Sequence, residues 1–217
     1  MTADRNPAAA DPAAKAGGKP AVKSARERIL EVATDLFYRE GIRAIGVDTI
    51  VARSGVAKMS LYRSFPSKDD LVAAFLTAAD QRYWTWWDQV VGRHPGAPRE
   101  QLRALFGAVA KRTTSPDYRG CPFVNTATEF PDAAHPGRAV ALANKRELRA
   151  RLRRLAEAIG ARDPDQLADQ LWLLLDGAYA SGQMLGVAGP GMALPAAADA
   201  LIEAQLGTGG SIDIDRA

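Results

Sequence analysis

Residues 55–68, GVAKMSLYRSFPSK, bring together side chains that can bind a polyanion. Lysine and arginine pair with guanine edges or phosphates, serine and tyrosine hydroxyls donate to phosphate oxygens, and methionine can contact a thymine methyl group. The alternative is that this stretch is only a turn between core helices. We predict a DNA-contacting surface, and its candidate residues are Thr49, Lys58, Met59, Ser60, Tyr62, Arg63, Ser67 and Lys68.

Three short helices must position these side chains. The first is predicted to follow Ser24, an N-cap with an acidic residue three positions later, and to end at Gly41. A second helix fits residues 47–54 and a third fits residues 57–64, because Pro66 prevents its continuation. Three helices with a tight glycine-containing turn between the second and third form a helix-turn-helix, whose third helix enters a DNA major groove.

The third helix is expected to have two sides. Leu61 and Phe65, four residues apart, should face a small core together with Val56, and the polar candidates of this helix then remain outside. At the start of the fourth helix, Ser67 is a predicted N-cap. Free backbone N–H groups and the Lys68 ammonium are expected to converge there on one phosphate.

Charge is distributed unevenly along the chain. Residues 19–68 contain ten lysines and arginines against five acids, a net charge of +5, whereas residues 69–217 carry a net charge of −2. Neutralising phosphates is the sequence-independent part of nucleic-acid binding, so a basic segment favours contact with nucleic acid or another anionic surface. A segment of this charge is common, and it supports the DNA-binding interpretation only in combination with the motif.

The rest of the sequence predicts helices throughout. Apolar residues recur with helical spacing from residue 25 to residue 206, and no alternating strand pattern between hairpin turns is found. The predicted fold class is all-α, with an N-terminal three-helix helix-turn-helix DNA-binding head and a C-terminal helical bundle. The expected organisation is a disordered tail over residues 1–22, the head over 23–68, the body over 69–207 and a flexible tail over 208–217.

Composition argues against several classes of protein. No apolar run approaches the roughly 20 residues that span a bilayer, and the N-terminus does not read as a secretory signal. Cys121 is the only cysteine, so no intrachain disulfide is possible, and the expected location is the cytoplasm. His94 and His135 lack metal-site spacing, and no phosphate-binding glycine loop is present. We expect no enzyme activity, no metal, no cofactor and no membrane contact.

The stretch VDTIVARSGVAKMSLYRSFPSKDDLV resembles the helix-turn-helix signature of TetR-family transcriptional regulators. Two positions depart from the family pattern: Gly46 replaces a common hydroxyl N-cap, and Val51 replaces a small residue. The resemblance implies that three helices bind DNA and that the others form a ligand-binding bundle, which dimerises through its last two long helices. The matching positions are Gly55, Val56, Leu61, Tyr62, Phe65, Ser67, Lys68 and Leu71, with Ala33, Phe37 and Gly41 upstream.

The resemblance also implies a mechanism. A homodimer would bind a palindromic operator in double-stranded DNA and repress transcription, and a small-molecule effector in the body would release it by shifting the fourth helix. The last two helices carry more apolar surface than one bundle can cover, which favours a two-fold interface. The alternatives are a helical small-molecule-binding module without DNA binding and an enzyme.

Aromatic residues concentrate near the end of the fourth helix, in YWTWWDQ. One interpretation is that they pack the bundle, because aromatic side chains bury large areas where helices cross. The other is that some of them line an effector pocket between helices, which would accept an apolar or aromatic molecule. The residues predicted to line it are Trp86, Trp87, Phe106, Val109, Cys121, Phe123, Trp172, Tyr179 and Met184.

Two further features each have two interpretations. Cys121 lies between Gly120 and Pro122, where it is either a thiol sensor or a small, partly buried side chain. The arginine-rich segment KRELRARLRR, residues 145–154, is either a second DNA site or the outer face of a helix whose leucines are buried. For Cys121 we favour a small, partly buried side chain, and for residues 145–154 we favour the outer face of a helix.

Overall fold

The structure, a computed structural model, describes residues 23–207. In that range the chain forms α-helices joined by turns and two short 3-10 segments, and no strand occurs there. The prediction of an all-α fold is therefore confirmed. The tails predicted over residues 1–22 and 208–217 lie outside the described residues.

The first three helices form the head, and they are α1 (Ala25–Glu40), α2 (Val47–Ser54) and α3 (Lys58–Ser64). α1 begins with the predicted capping box: Ser24 Oγ accepts from the Glu27 N–H at 3.2 Å, and the Glu27 carboxylate accepts from the Ser24 N–H at 2.8 Å. α2 ends at Gly55, whose φ of 62° lies in the left-handed region. Because glycine has no Cβ, it makes this tight turn into α3 without steric strain.

The body contains the remaining helices of the described range: α4 (Lys68–Val91), α5 (Pro98–Thr113), α6 (Pro122–Glu129), α7 (Pro136–Ala158), α8 (Pro164–Leu185) and α9 (Leu194–Leu206). α5 to α9 each have a proline in the first two positions, where the missing N–H has no helical partner to lose. In the head, the helix bounds differ from the predicted ones by at most one residue, because α3 begins at Lys58 and not at residue 57.

One hydrophobic core extends from the head into the body. Ile29, Ile50 and Leu61, one from each head helix, are completely buried. α4 closes this core, because the ring of Phe75 packs edge-to-face on Phe37 with 5.7 Å between ring centroids. The same helix continues into the body, where it packs against α5 and α7. A displacement of α4 in the body would therefore move the part of α4 that packs against the head.

The last two long helices, α8 and α9, carry apolar residues on their surface. Residues three or four positions apart share one side of a helix, so these residues form a stripe on each helix. The exposed members of the two stripes are Leu173, Gly177, Ala180 and Met184 on α8, and Ala196, Ala200 and Ala204 on α9.

No helix between residues 23 and 207 is long and apolar enough to cross a membrane.

Candidate DNA-binding surface and effector cavity

α3 separates its buried side chains from its exposed ones, as its spacing predicts. Leu61 and Phe65 are buried in the head core with Val56. On the other side, Met59 is 76% exposed and Tyr62 is 41% exposed. The helix therefore presents polar and aromatic groups outward from a rigid apolar base.

The two cations of α3 have surface partners. Lys58 Nζ lies 2.7 Å from Asp48 Oδ1 on α2, and this hydrogen bond, reinforced by the charge of the carboxylate, raises the pKa of Lys58. Arg63 donates to Ser60 Oγ at 3.3 Å, and Thr49 lies half-buried beside Asp48. Exposed pairs of this kind are weak and screened by salt, so a phosphate or a base edge can replace either partner.

Ser67 is the N-cap of α4, as predicted, but its surroundings differ from the expected phosphate site. Ser67 Oγ accepts from the Asp70 N–H at 3.0 Å, and the Asp70 carboxylate accepts from the Ser67 hydroxyl at 2.7 Å. Lys68 Nζ donates to the Ile42 carbonyl at 2.7 Å, and burial lowers the pKa of this lysine. With Asp69 also in the first turn, Ser67 and Lys68 do not converge on an open phosphate site. They instead fix the start of α4 against the head.

A small cavity lies within the body, between α4, α5, α6 and α8. Its volume is about 20 Å³, which is room for one water molecule. Three polar atoms of its wall are buried without a hydrogen-bond partner among the described residues: Arg112 Nε, Tyr118 Oη and Tyr179 Oη. The complete wall consists of Ala79, Tyr83, Arg112, Tyr118, Cys121, Pro122, Phe123 and Tyr179.

The three tyrosines of the wall keep their protons. Burial raises the pKa of Tyr83, Tyr118 and Tyr179, and the nearby positive charge of Arg112 opposes this effect only in part. The Tyr83 hydroxyl is close enough to donate a weak hydrogen bond to Tyr179, which raises the pKa of Tyr83 and partly opposes the rise for Tyr179, but it falls short of full hydrogen-bond geometry, so Tyr179 Oη has no well-formed partner among the described residues. At neutral pH these phenols are therefore O–H donors.

A larger groove of about 540 Å³ opens between α6, α7 and α8. Leu142 and Trp172 contribute apolar surface to it, and the ion pair of Lys145 with Asp176 contributes charge. Phe123 lines both this groove and the small cavity, so its side chain stands between the two spaces.

α6 connects the cavity to the head. Its first residues, Pro122 and Phe123, line the cavity. Its last residue, Glu129, accepts from the backbone N–H groups of Ile42 and Arg43 at 3.2 Å and 2.7 Å, in the turn that follows α1. One short helix therefore touches the cavity at one end and the head at the other.

A second connection runs through α1. The Tyr38 hydroxyl accepts from the Arg119 N–H at 3.0 Å and donates to the Gly120 carbonyl at 3.4 Å. Both backbone groups directly precede Cys121 in the cavity wall. A movement of this wall would therefore reach the end of α1.

Two family descriptions match this chain. Residues 29–75 match bacterial regulatory proteins of the tetR family, and residues 98–193 match the tetracyclin repressor-like C-terminal domain. SCO4454, a TetR-family transcriptional regulator from Streptomyces coelicolor, has a solved structure that is 32% identical, with a TM-score of 0.79 over 83% of this chain and 95% of that chain. The chain belongs to the TetR family.

Other relatives of this TetR-family chain agree. A solved structure from Streptomyces avermitilis is 36% identical, with a TM-score of 0.75 over 86% of this chain and 100% of that one. The HTH-type transcriptional repressor KstR2 of Mycobacterium tuberculosis is 35% identical over 91 residues, which are 40% of this chain and 43% of KstR2. Family and fold are those of DNA-binding transcriptional regulators and not of enzymes.

Four of the residues predicted to bind an effector in this TetR-family chain line a cavity or groove. Cys121, Phe123 and Tyr179 lie around the small cavity, and Trp172 lies in the groove. Trp172 Nε1 is buried without a hydrogen-bond partner in the described range. Cys121 is buried, and the thiol-sensor interpretation stays a prediction.

The other predicted residues line neither space. Trp86 packs beside Tyr83, with 5.5 Å between ring centroids. Met184 is 80% exposed within the surface stripe of α8, so its assignment to the pocket wall is wrong. The predicted residues that lie in the hydrophobic core are Trp87, Phe106 and Val109.

Five wall residues are absent from the predicted set: Ala79, Tyr83, Arg112, Tyr118 and Pro122. Arg112 follows Val109 by three positions and so lies on the buried side of α5, where an arginine is unusual. The three-residue spacing from Val109 is therefore a sequence signal that indicates Arg112 as a wall residue. Tyr118 lies in an irregular loop, where no periodicity indicates which way a side chain points.

The arginine-rich segment of α7 in this TetR-family chain is engaged with neighbouring helices. Leu152 is buried beneath it, as predicted for the outer-face interpretation. Arg149 pairs with Asp169 of α8 at 2.6 Å, and Arg151 pairs with Asp88 of α4. These ion pairs favour a structural role over a second DNA site.

Proposed function

We propose that this TetR-family regulator is a repressor that binds a palindromic operator as a homodimer and leaves it when a small effector enters the body. The observation that carries the proposal is the exposed side of α3, where Met59 and Tyr62 project between Lys58 and Arg63. A helix with such a surface can enter a major groove, which is about 12 Å wide. The name of KstR2, a repressor, supports repression over activation.

The proposed contacts with DNA divide by chemistry. Lys58 and Arg63 bind phosphates or guanine edges, Met59 contacts a thymine methyl group, and the Tyr62 hydroxyl binds a phosphate. Ser67 and Lys68 act indirectly, by holding α4 against the head. The direct contacts we propose are Thr49, Lys58, Met59, Ser60, Tyr62 and Arg63.

The proposed homodimer forms through α8 and α9. The exposed apolar stripe of α8, with Leu173 and Met184 at its two ends, is an unfavourable surface for a monomer in water. The alanines of α9 and the small residues of the α8 stripe permit close approach of a second copy. A two-fold axis would place two copies of α3 at half-sites separated by about 34 Å or a multiple of it, which requires an inverted repeat.

The proposed response to effector uses α4 and α6 together. α4 begins at Lys68, which holds the Ile42 carbonyl, and carries Tyr83 into the cavity wall. At 1.5 Å per residue these two positions are about 22 Å apart, so a small tilt at the cavity displaces the head. α6 reinforces this coupling through the contact of Glu129 with the turn after α1.

Selection of bound sequences from random duplex DNA tests the operator proposal. We expect the full chain to enrich an inverted repeat, and Arg63→Ala to enrich it far less, because a base or phosphate contact is lost. Arg154→Ala is the matched control: it removes the same charge from α7, where Arg154 pairs with Glu147, and should enrich the same repeat as the unmodified chain. Enrichment of no sequence, or of a single half-site, would contradict operator binding by a homodimer.

A further inference from the structure

The polar atoms of the cavity wall indicate what the wall can bind. Tyr118 and Tyr179 are only 5% and 6% exposed, yet neither hydroxyl has a hydrogen-bond partner in the described part of the chain. Arg112 Nε is buried beside them in the same state. Buried polar groups in proteins are nearly always hydrogen-bonded, and leaving one unpaired is costly. Three such groups around one cavity indicate a ligand with matching chemistry.

All three groups can donate a hydrogen bond. A guanidinium has no acceptor, so Arg112 Nε can only donate, and burial keeps both phenols protonated by raising the pKa of each. A carboxylate can accept from all of them, because its two oxygens together offer about four lone-pair sites. Hydrogen bonds from a guanidinium to a carboxylate are also among the strongest in proteins.

The charge of the wall favours the same group. Within residues 23–207, Arg112 has no carboxylate within ion-pair distance, and its guanidinium lies only over the Tyr118 ring, at 6.0 Å. The other nearby cation, Lys145, is already paired with Asp176. Arg112 is half-buried and faces the cavity with its buried Nε, so its positive charge has no carboxylate partner in the described range and a singly charged anion in the cavity would balance it.

The remaining wall determines the body of the ligand. Ala79, Pro122 and Phe123 are apolar, and the tyrosine rings add aromatic surface. A cavity of about 20 Å³ holds few heavy atoms, but the groove behind Phe123 measures about 540 Å³. Rotation of Phe123 would join the two spaces and admit a molecule of benzoate size or larger.

We propose that the effector is a small organic acid whose carboxylate accepts hydrogen bonds from Arg112, Tyr118 and Tyr179 and whose apolar body displaces Phe123 toward the groove between α6, α7 and α8. The inference rests on the proposed effector response and specifies its chemistry: the ligand is an anion with an apolar body, and not a purely apolar molecule. A single water is the competing occupant. It fits the volume but leaves the charge of Arg112 without a counter-charge.

Binding of acids and of their amides to the full chain, without DNA, tests this inference. The probes are benzoate, phenylacetate and hexanoate, each compared with its amide, which has nearly the same shape and a carbonyl acceptor but no charge. Tryptophan fluorescence and thermal unfolding report binding up to about 10 mM probe. We expect at least one acid to bind, and its amide to bind about tenfold more weakly or worse.

Variants of the wall locate the binding. Arg112→Gln should weaken the acid about tenfold or more and remove its advantage over the amide, since the charged donor is lost. Lys111→Gln is the control: it removes the same charge from the next position of α5, which is exposed, and should leave acid binding unchanged. Tyr179→Phe should weaken the acid about threefold. This variant removes one oxygen only, so it keeps the test valid even if Arg112→Gln does not fold.

Three results would overturn the inference: equal binding of acid and amide, unchanged acid affinity in Arg112→Gln, or no binding of any acid probe, in which case the cavity holds water only. Affinity for the selected inverted repeat, measured on the same preparation, separates this inference from the regulator proposal. A chain that binds the repeat but no acid refutes the effector class and leaves the regulator standing. A chain that binds an acid but no DNA supports a carboxylate site in the cavity and refutes the regulator.

Discussion

The exposed side of α3 and the wall of the body cavity are both polar, but their polar groups are satisfied to different degrees. On α3, Lys58 pairs with Asp48, and Arg63 donates to Ser60. In the cavity wall, buried donors such as Tyr179 Oη have no partner among the described residues. Groups at the surface can exchange partners with water, whereas buried groups depend on what the cavity holds. We infer that the proposed DNA-binding surface is preformed and that the cavity is the part whose stability a ligand changes.

The largest effect that would test this difference is expected beneath α3. Leu61→Ala removes a completely buried side chain, so the free energy of unfolding should fall by about 2–5 kcal/mol and operator binding should be lost. Tyr62→Phe, one position away, removes an exposed hydroxyl and should change unfolding by less than about 0.5 kcal/mol. Denaturant unfolding measures both variants. Equal losses of unfolding free energy in the two variants would contradict a rigid apolar core beneath an exposed side of α3.

A smaller effect distinguishes satisfied from unsatisfied hydroxyls in the body. Thr126 is buried and donates to the Pro122 carbonyl at 2.8 Å, so Thr126→Val should lower the free energy of unfolding by about 1 kcal/mol. Tyr179→Phe removes a buried hydroxyl that has no well-formed partner in the described range. The free energy of unfolding should therefore stay the same or rise by up to about 1 kcal/mol. Thermal unfolding without ligand measures both. A similar loss in the two variants would show that Tyr179 is already satisfied.

The smallest effect is expected at the surface pair of the head. Asp48→Asn frees Lys58 and removes a negative charge beside the reading helix, so operator affinity should rise about threefold at low salt while stability stays unchanged. Asp199→Asn makes the same charge change on α9, where Asp199 pairs with Arg103, and serves as the control. Titration of labelled operator measures both affinities. A fall in affinity for Asp48→Asn would mean that the pair positions Lys58 for DNA.

The head could be predicted almost completely from the sequence because its determinants are local. The capping box at Ser24, the turn at Gly55 and the four-residue spacing of Leu61 and Phe65 each act within a few positions. The exception is Lys68. Its ammonium binds the Ile42 carbonyl, 26 positions away, and no short-range pattern indicates that contact.

The cavity could be predicted only in part because packing assembles its wall from distant segments. Ala79 and Tyr179 lie on α4 and α8, a hundred positions apart, and Tyr118 comes from a loop. Aromatic composition identifies Phe123 and Tyr179 but also selects Phe106, which only fills the core. Apolar composition also selects Met184, although helical spacing places it with Leu173, Gly177 and Ala180 on the exposed side of α8.

We propose that α3 binds an operator and that the body binds an effector. The salt dependence of operator binding tests the role of α3 most directly. Affinity of the full chain for the selected repeat should fall steeply with salt, with a log–log slope of about −0.9 for each phosphate neutralised. Arg63→Ala should reduce this slope by about one, and Arg154→Ala should not. Affinity that does not depend on salt, or the same slope in both variants, would contradict DNA recognition by α3.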